Sequence, residues 1–128
     1  MTMMRANPEY RVYKSIATYL TLQYPRVIYH FDPTGLNLSK AQAGMLKAIQ
    51  KDKGYPDLFI IEPRNRFHGL FLEIKPEGTK LLKKDLTPVN PHVQEQYNYL
   101  SILRGLGFDA HFAVGFDDAK EKIDTYLK

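Results

Sequence analysis

Two short runs rich in Leu, Phe and Ile, at residues 57–62 and 69–75, constrain the fold of this chain more than any other feature. The first reads Asp-Leu-Phe-Ile-Ile-Glu and the second Gly-Leu-Phe-Leu-Glu-Ile-Lys, and each predicts a strand. Gly54-Tyr55-Pro56 breaks the preceding segment, and residues 63–67 turn the chain between the runs. The pair is an antiparallel hairpin centred near Asn65, with a loop somewhat longer than the tight two-residue kind. Such a hairpin sets Asp57 almost opposite Glu73 to Lys75. Glu73 and Lys75 share a face by their spacing, and Ile74 lies on the other. A one-residue slip would change which side chains share a face, and the sequence leaves the register open to that extent.

The remaining elements follow from capping and periodicity. Asn7, Pro8 and Glu9 are a helix start, and Tyr13, Ile16, Ala17, Leu20 and Tyr24 recur at helical spacing until Pro25. Residues 27–31 predict a strand closed by the turn Asp32-Pro33-Thr34-Gly35. Ser39 can cap a helix to about Gln50, with Lys40, Lys47 and Lys51 as a basic stripe. After a polar, lysine-bearing loop over 76–90, Pro91 opens a helix with the stripe Val93, Tyr97, Leu100, Leu103 and Leu106, ended by Gly107. Residues 108–114 predict a fourth strand, and residues 117–127 a last amphipathic helix. The order implies an α/β sandwich around a mixed sheet. No repeat, low-complexity tract or change of composition divides the chain, so a single domain over 1–128 is expected.

Composition excludes some chemistries. There is no cysteine, hence no disulfide and no cysteine-ligated metal or cluster, which suits a reducing cytoplasm. The longest apolar run, Leu58-Phe59-Ile60-Ile61, is far too short to span a membrane, and residues 1–10 hold no signal-peptide core. A soluble, cytoplasmic protein without a membrane partner is therefore expected. The net charge of +4 leans mildly toward polyanionic partners. His30, His68, His92 and His111 show no paired metal-ligand spacing, and neither a P-loop nor a nucleophile elbow is present.

The hairpin can bring two carboxylates and an amine together at one end of a sheet. Oxygen donors of this kind suit Mg²⁺ or Mn²⁺, which polarise a phosphoryl group and acidify an attacking water. A neighbouring lysine can orient that water or stabilise developing charge. A strand-edge Glu and Lys equally describe a solvated face: a chance E-x-K arises about once in every two chains of this length. Two further polar residues extend apolar rows. Glu9 continues the Tyr13, Ile16, Leu20 row backward, although an acid there also suits the helix dipole. Gln96 lies on the row of Val93, Leu100 and Leu103, so it should face the sheet, either as a site residue or in a structural hydrogen bond.

Together, Gly54-Tyr-Pro-Asp57-Leu, His68-Gly-Leu-Phe-Leu-Glu73-Ile-Lys75, Gln96 eleven residues before Gly107-Phe, and the closing Val114-Gly-Phe-Asp-Asp-Ala119 resemble the VRR-Nuc domain. This is the virus-type replication-repair branch of the PD-(D/E)xK nucleases, and the likeness is to its stand-alone phage and bacterial members. It runs from about Glu9 to the C-terminus. It implies a restriction-endonuclease-like αβββαβ core over about 8–128, with a four-stranded mixed sheet and an inserted helix at about 38–51. It also implies cleavage of DNA dependent on Mg²⁺ or Mn²⁺. Carried onto this chain, Asp57 and Glu73 would be metal ligands, with the Ile74 carbonyl and Glu9 as further ones. Lys75 would be the catalytic lysine and Gln96 the glutamine of the helix after the motif strand. Small members resemble Holliday-junction resolvases, acting as homodimers on branched DNA in recombination and repair, whereas larger relatives cut flaps. Lys40, Lys47, Lys51 and Lys53 form one candidate phosphate-contacting surface, and Lys80, Lys83 and Lys84 a second; a solvated face is the plain alternative for both. The competing functions are a non-catalytic nucleic-acid-binding module on the same fold and a protein-assembly factor in which the acid and lysine pattern is accidental.

Overall fold

A computed structural model of the protein describes residues 7–33, 36 and 38–128. In chain order the elements are α1 (Pro8–Gln23), β1 (Ile28–Phe31), α2 (Lys40–Ile49), β2 (Leu58–Ile61), β3 (Leu70–Lys75), α3 (Pro91–Gly105), β4 (Asp109–Val114) and α4 (Gly115–Leu127). The start of the N-terminal segment, residues 1–6, and Thr34 and Gly35 of the expected turn lie outside the described residues. The strands form one sheet in the order β1-β2-β3-β4. The first two pairings are antiparallel and β3–β4 is parallel, which gives the mixed four-stranded sheet expected.

Alternation along the strands separates two apolar layers. Leu58, Ile60, Leu70, Leu72 and Ile74 pack with Ile16 and Leu20 of α1 and with Ile123 and Leu127 of α4. Phe71, Ala110 and Phe112 face the other way and pack under Val93, Leu100 and Leu103 of α3. Strand β3 is thus covered on both faces, and Leu70 to Ile74 are all buried. A carboxylate on such a strand is held out of water by its position. The α1–α4 pair is tied by Tyr19 and Tyr24, whose hydroxyls donate to Asp124 Oδ1 at 2.5 and 2.7 Å. No helix among the described residues is long and apolar enough to cross a membrane.

Four local expectations need correction. The buried row of α3 runs Val93, Gln96, Leu100, Leu103, while Leu106 is the C-cap and lies 62% exposed. The helix ends before Leu106 can reach the sheet, and the chain turns at Gly107. Helix α4 begins at Gly115, directly after β4, instead of at Asp117. There Asp118 Oδ2 accepts the Val114 N–H at 2.8 Å and so caps the start from inside the helix. Lys51 lies beyond the end of α2, whose C-cap is Gln50, so it is not part of that helix's stripe.

The tip of the hairpin is also tighter than expected. Arg64 and Phe67 exchange backbone hydrogen bonds of 3.1 and 2.7 Å around Asn65 and Arg66, both at positive φ (50° and 74°). This is a tight two-residue turn. Ile60 nevertheless pairs with Leu70. Three residues (61–63) therefore face two (68–69) between that pair and the turn, which is a one-residue bulge on the β2 side. Without it the turn would set Asp57 opposite Ile74; with it, the Leu58–Leu72 pairing continues outward to Asp57 opposite Glu73.

Candidate active site

Asp57, Glu73, Lys75, Glu9 and Gln96 line one cleft of about 670 Å³ at the end of the sheet where β2 begins and β3 ends. Five residues separated by up to 87 positions in the chain are brought together by the hairpin register, the start of α1 and the first turns of α3.

Asp57 and Glu73 are both buried, at 6% and 4% exposure. Asp57 Oδ2 accepts the backbone N–H of Ile74 at 2.7 Å, so one carboxylate oxygen is fixed by the strand it faces. Extended two residues past its last pair, Leu58–Leu72, the register would set Ile74 against Pro56, which has no N–H to give. The Asp57 side chain thus takes up the amide of Ile74, and Pro56 can supply no N–H to the strand opposite. Glu73 Oε1 is buried without a hydrogen-bond partner. Burial, and then the charge of Asp57, hold the Glu73 carboxyl well above its ordinary pKa, with Lys75 opposing. Glu9, half-buried in the first turn of α1, is raised by burial and by Asp57 and lowered by Lys75.

Gln96 Oε1 is likewise buried without a partner, and the Tyr13 hydroxyl, which makes no well-formed hydrogen bond, lies beside the Asp57 carboxylate. The Tyr13 proton is held far more tightly than usual by burial and by the neighbouring Asp57 charge. Unpartnered buried polar atoms are uncommon, and each costs about 1–3 kcal/mol. Glu73 and Gln96 line the same cleft, and Tyr13 lies within the electrostatic reach of Asp57, Glu9 and Glu73. The Asp57–Glu73 pair is therefore open to a proton or a cation between its carboxylates. A hard divalent cation fits the donor set, because an Asp oxygen, a Glu oxygen and a backbone carbonyl suit Mg²⁺ or Mn²⁺, which retain several waters. No three carboxylate or imidazole groups among the described residues form a ready cage. A site of this type would be completed by water and a phosphate oxygen.

Lys47, Lys51 and Lys53 stand at the cleft rim, whereas Lys40, Lys80, Lys83 and Lys84 are exposed elsewhere and do not line it. Sequence reasoning passed over Tyr13, Tyr55, His92 and Glu95. His92 precedes Gln96 by one helical turn, a spacing that could have placed it in the cleft. Tyr13 reads as an ordinary member of an apolar row and gave no such sign.

Gln96→Leu is expected to raise stability by about 1 kcal/mol, since it removes a buried amide oxygen with no partner while keeping the volume. Urea denaturation checks this, and an unchanged or lowered midpoint would mean that the amide is satisfied in solution.

No protein-family model matches the sequence, and no curated protein matches it. A solved structure described as a "VRR_NUC domain protein" is similar to this chain, with a TM-score of 0.68 and 24% sequence identity. The similarity covers 95% of this chain and 89% of that one. The chain has the fold of a VRR-Nuc domain, a mixed four-stranded sheet flanked by helices, with the Asp57–Glu73 cleft at the end of its central hairpin.

Proposed function

We propose that this chain is a VRR-Nuc-type nuclease that hydrolyses DNA phosphodiesters with Mg²⁺ or Mn²⁺, and that it acts as a homodimer on branched DNA. The observation that carries the reading is the buried pair Asp57 and Glu73, set opposite each other with Glu73 Oε1 unpartnered. Two carboxylates facing each other out of water repel unless a proton or a cation lies between them.

The metal would be held by Asp57, Glu73 and the Ile74 carbonyl, with Glu9 at its edge, and when bound it supplies Lewis acidity and a more acidic water. Lys75, two residues beyond Glu73 on the same face of β3, places a positive charge where a phosphate enters the cleft. It can orient the attacking water and stabilise charge on the phosphoryl oxygens. Gln96, opposite on α3, offers an amide that can hold that water or a phosphate oxygen. Burial of the pair keeps competing water away from both carboxylates.

Purified protein incubated with labelled four-way junction, flap and linear duplex DNA, in Mg²⁺, Mn²⁺ or EDTA, tests the reading beside an Asp57→Ala control. Paired symmetric cuts in the junction that need metal and vanish in the control support the full proposal. Flap-only cleavage keeps the nuclease and removes the resolvase. Binding without cleavage of any substrate would leave a binding module. Light scattering tests the homodimer, for which twice the 14.8 kDa chain mass is expected.

The rim lysines yield a separate expectation. Replacing Lys47 and Lys51 with alanine should reduce the slope of log affinity against log salt by about 0.9 per lysine on duplex DNA. The same change at Lys83 and Lys84, which lie outside the cleft, should leave the slope nearly unchanged. Equal effects at the two places would mean that the cleft does not set the path of the backbone.

A further inference from the structure

Next to the cleft lies a second recess of about 590 Å³ that no step of the proposed hydrolysis uses. One wall is formed by Tyr99 and Ile102 of α3, the edge of the buried Leu103, and Leu106 at the C-cap. Ile102 and Leu106 are 60% and 62% exposed, so an apolar wall is left open to water. Lys51, Asp52, Lys53 and Glu95 line both the recess and the cleft and form the divide between them. Tyr55, 40% exposed in the cleft, has its ring 6.0 Å from that of Tyr99 and links the two spaces with aromatic surface.

We infer that the recess receives one unstacked base of the nucleic-acid strand whose phosphate occupies the cleft, so that the preferred substrate carries a single-stranded nucleotide beside the scissile bond. This deepens the nuclease reading and rests on it for the strand's position. The divide has the chemistry of a nucleotide turned out of its stack. Lys51 and Lys53 can hold the backbone phosphates that cross it, and the wall of Tyr99, Ile102 and Leu106 can take the flat face of a base. Asp52 and Glu95 disfavour a phosphate inside the recess and match the amino edge of a base. The volume is that of a small-molecule site, about 300–1,000 Å³, and a stacked duplex cannot enter it. Its four apolar or aromatic side chains are also far fewer than the roughly 20–30 residues a side of a stable protein interface.

Ile102 and Leu106 are exposed and contribute little to the core, so an Ile102→Asp, Leu106→Asp double variant of the full chain should fold as the wild type does. Binding is measured in EDTA, where cleavage is absent, with a flap substrate carrying 2-aminopurine at the junction nucleotide and with a blunt duplex of the same sequence. Wild-type protein is expected to change the 2-aminopurine fluorescence and to bind the flap more tightly than the duplex. The double variant is expected to lose the fluorescence change and about tenfold of flap affinity, as loss of one stacked base would give, with duplex affinity unchanged. Equal loss on both substrates, or no loss on either, would overturn the recess assignment. The two readings fail separately: a protein that shows the selective loss but never cuts with metal keeps the recess and not the nuclease, and one that cuts normally without the selective loss keeps only the nuclease.

Discussion

A Glu73→Gln protein is expected to fold, to be more stable than the wild type at pH 8 without divalent ions, and to cut no DNA. The carboxyl of Glu73 is raised by burial and by Asp57, so in the metal-free protein it keeps its proton well above the pH at which an unfolded glutamate loses it. Between those two points the folded state binds more protons than the unfolded one, and stability must fall as pH rises. The stabilising contribution is complete below the ordinary glutamate range and is lost as the pH climbs toward the raised folded value. The slope from one group is at most about 1.4 kcal/mol per pH unit. Glutamine has no proton to lose, so the variant should lack this slope, and thermal melts between pH 5 and 8 in EDTA test it directly. Parallel curves for the two proteins would mean that Glu73 is ionised in the free site.

Metal reverses the sign. A cation needs the charged carboxylate, so its affinity for the wild type should increase with pH and its binding should release a proton. Melts with Mn²⁺ should therefore rise for the wild type and stay flat for Glu73→Gln. Lys75→Ala should keep the thermal response to metal while lowering the cleavage rate by about 10²–10⁴-fold, the usual range for a lost proton-transfer or charge-stabilising group. A Lys75 variant that cuts as fast as the wild type would remove the lysine from the chemistry.

The second large effect is expected far from the carboxylates. Gly69 sits beside the bulge, where a Cβ would fall 2.8 Å from the Ile60 carbonyl oxygen and 2.7 Å from Phe59 Cε1. The clash with backbone cannot be relieved by a rotamer change, so Gly69→Val should destabilise by at least about 1–3 kcal/mol. Relief by straightening the bulge would shift the register by one residue. Asp57 would then face Ile74, and Glu73 would lose its place opposite Asp57. Loss of the metal-induced rise in melting temperature in a Gly69 variant that still folds is the expected signature. Gly44→Ala is the control: the glycine lies within α2 with open space around its Cβ, so alanine there should stabilise by up to about 1 kcal/mol. A Gly69→Val protein with wild-type stability and metal response would show that the bulge is not what holds the pair in register.

Most of the architecture was legible in the sequence because it rests on local chemistry. Asn7 with Pro8, Ser39 with Gln42, and Asn90 with Pro91 open helices where capping physics places them, and the side chains of Asn7, Ser39 and Asn90 make the capping bonds. The Leu, Phe and Ile runs of β2 and β3 marked them as strands. The burial of Gln96 followed from its place on the α3 row. The α4 start was missed because its cap comes from Asp118 inside the helix, and Leu106 because periodicity does not say where the sheet beneath a helix ends.

What the sequence by itself determined is which groups are available: three acids, a lysine and a glutamine, each on or beside an element that the pattern specifies. Only the tertiary structure decided that they meet. A strand reverses its faces with every residue, so the pairing of Asp57 with Glu73 instead of Ile74 depends on one extra residue in a bulge. At that bulge Gly69 packs against Phe59 and the Ile60 carbonyl, contacts that the local sequence pattern does not reveal. The partnerless state of Glu73 Oε1 and of Gln96 Oε1 likewise depends on α3 lying over β3, because a buried polar atom is satisfied or not only by what the rest of the fold brings against it.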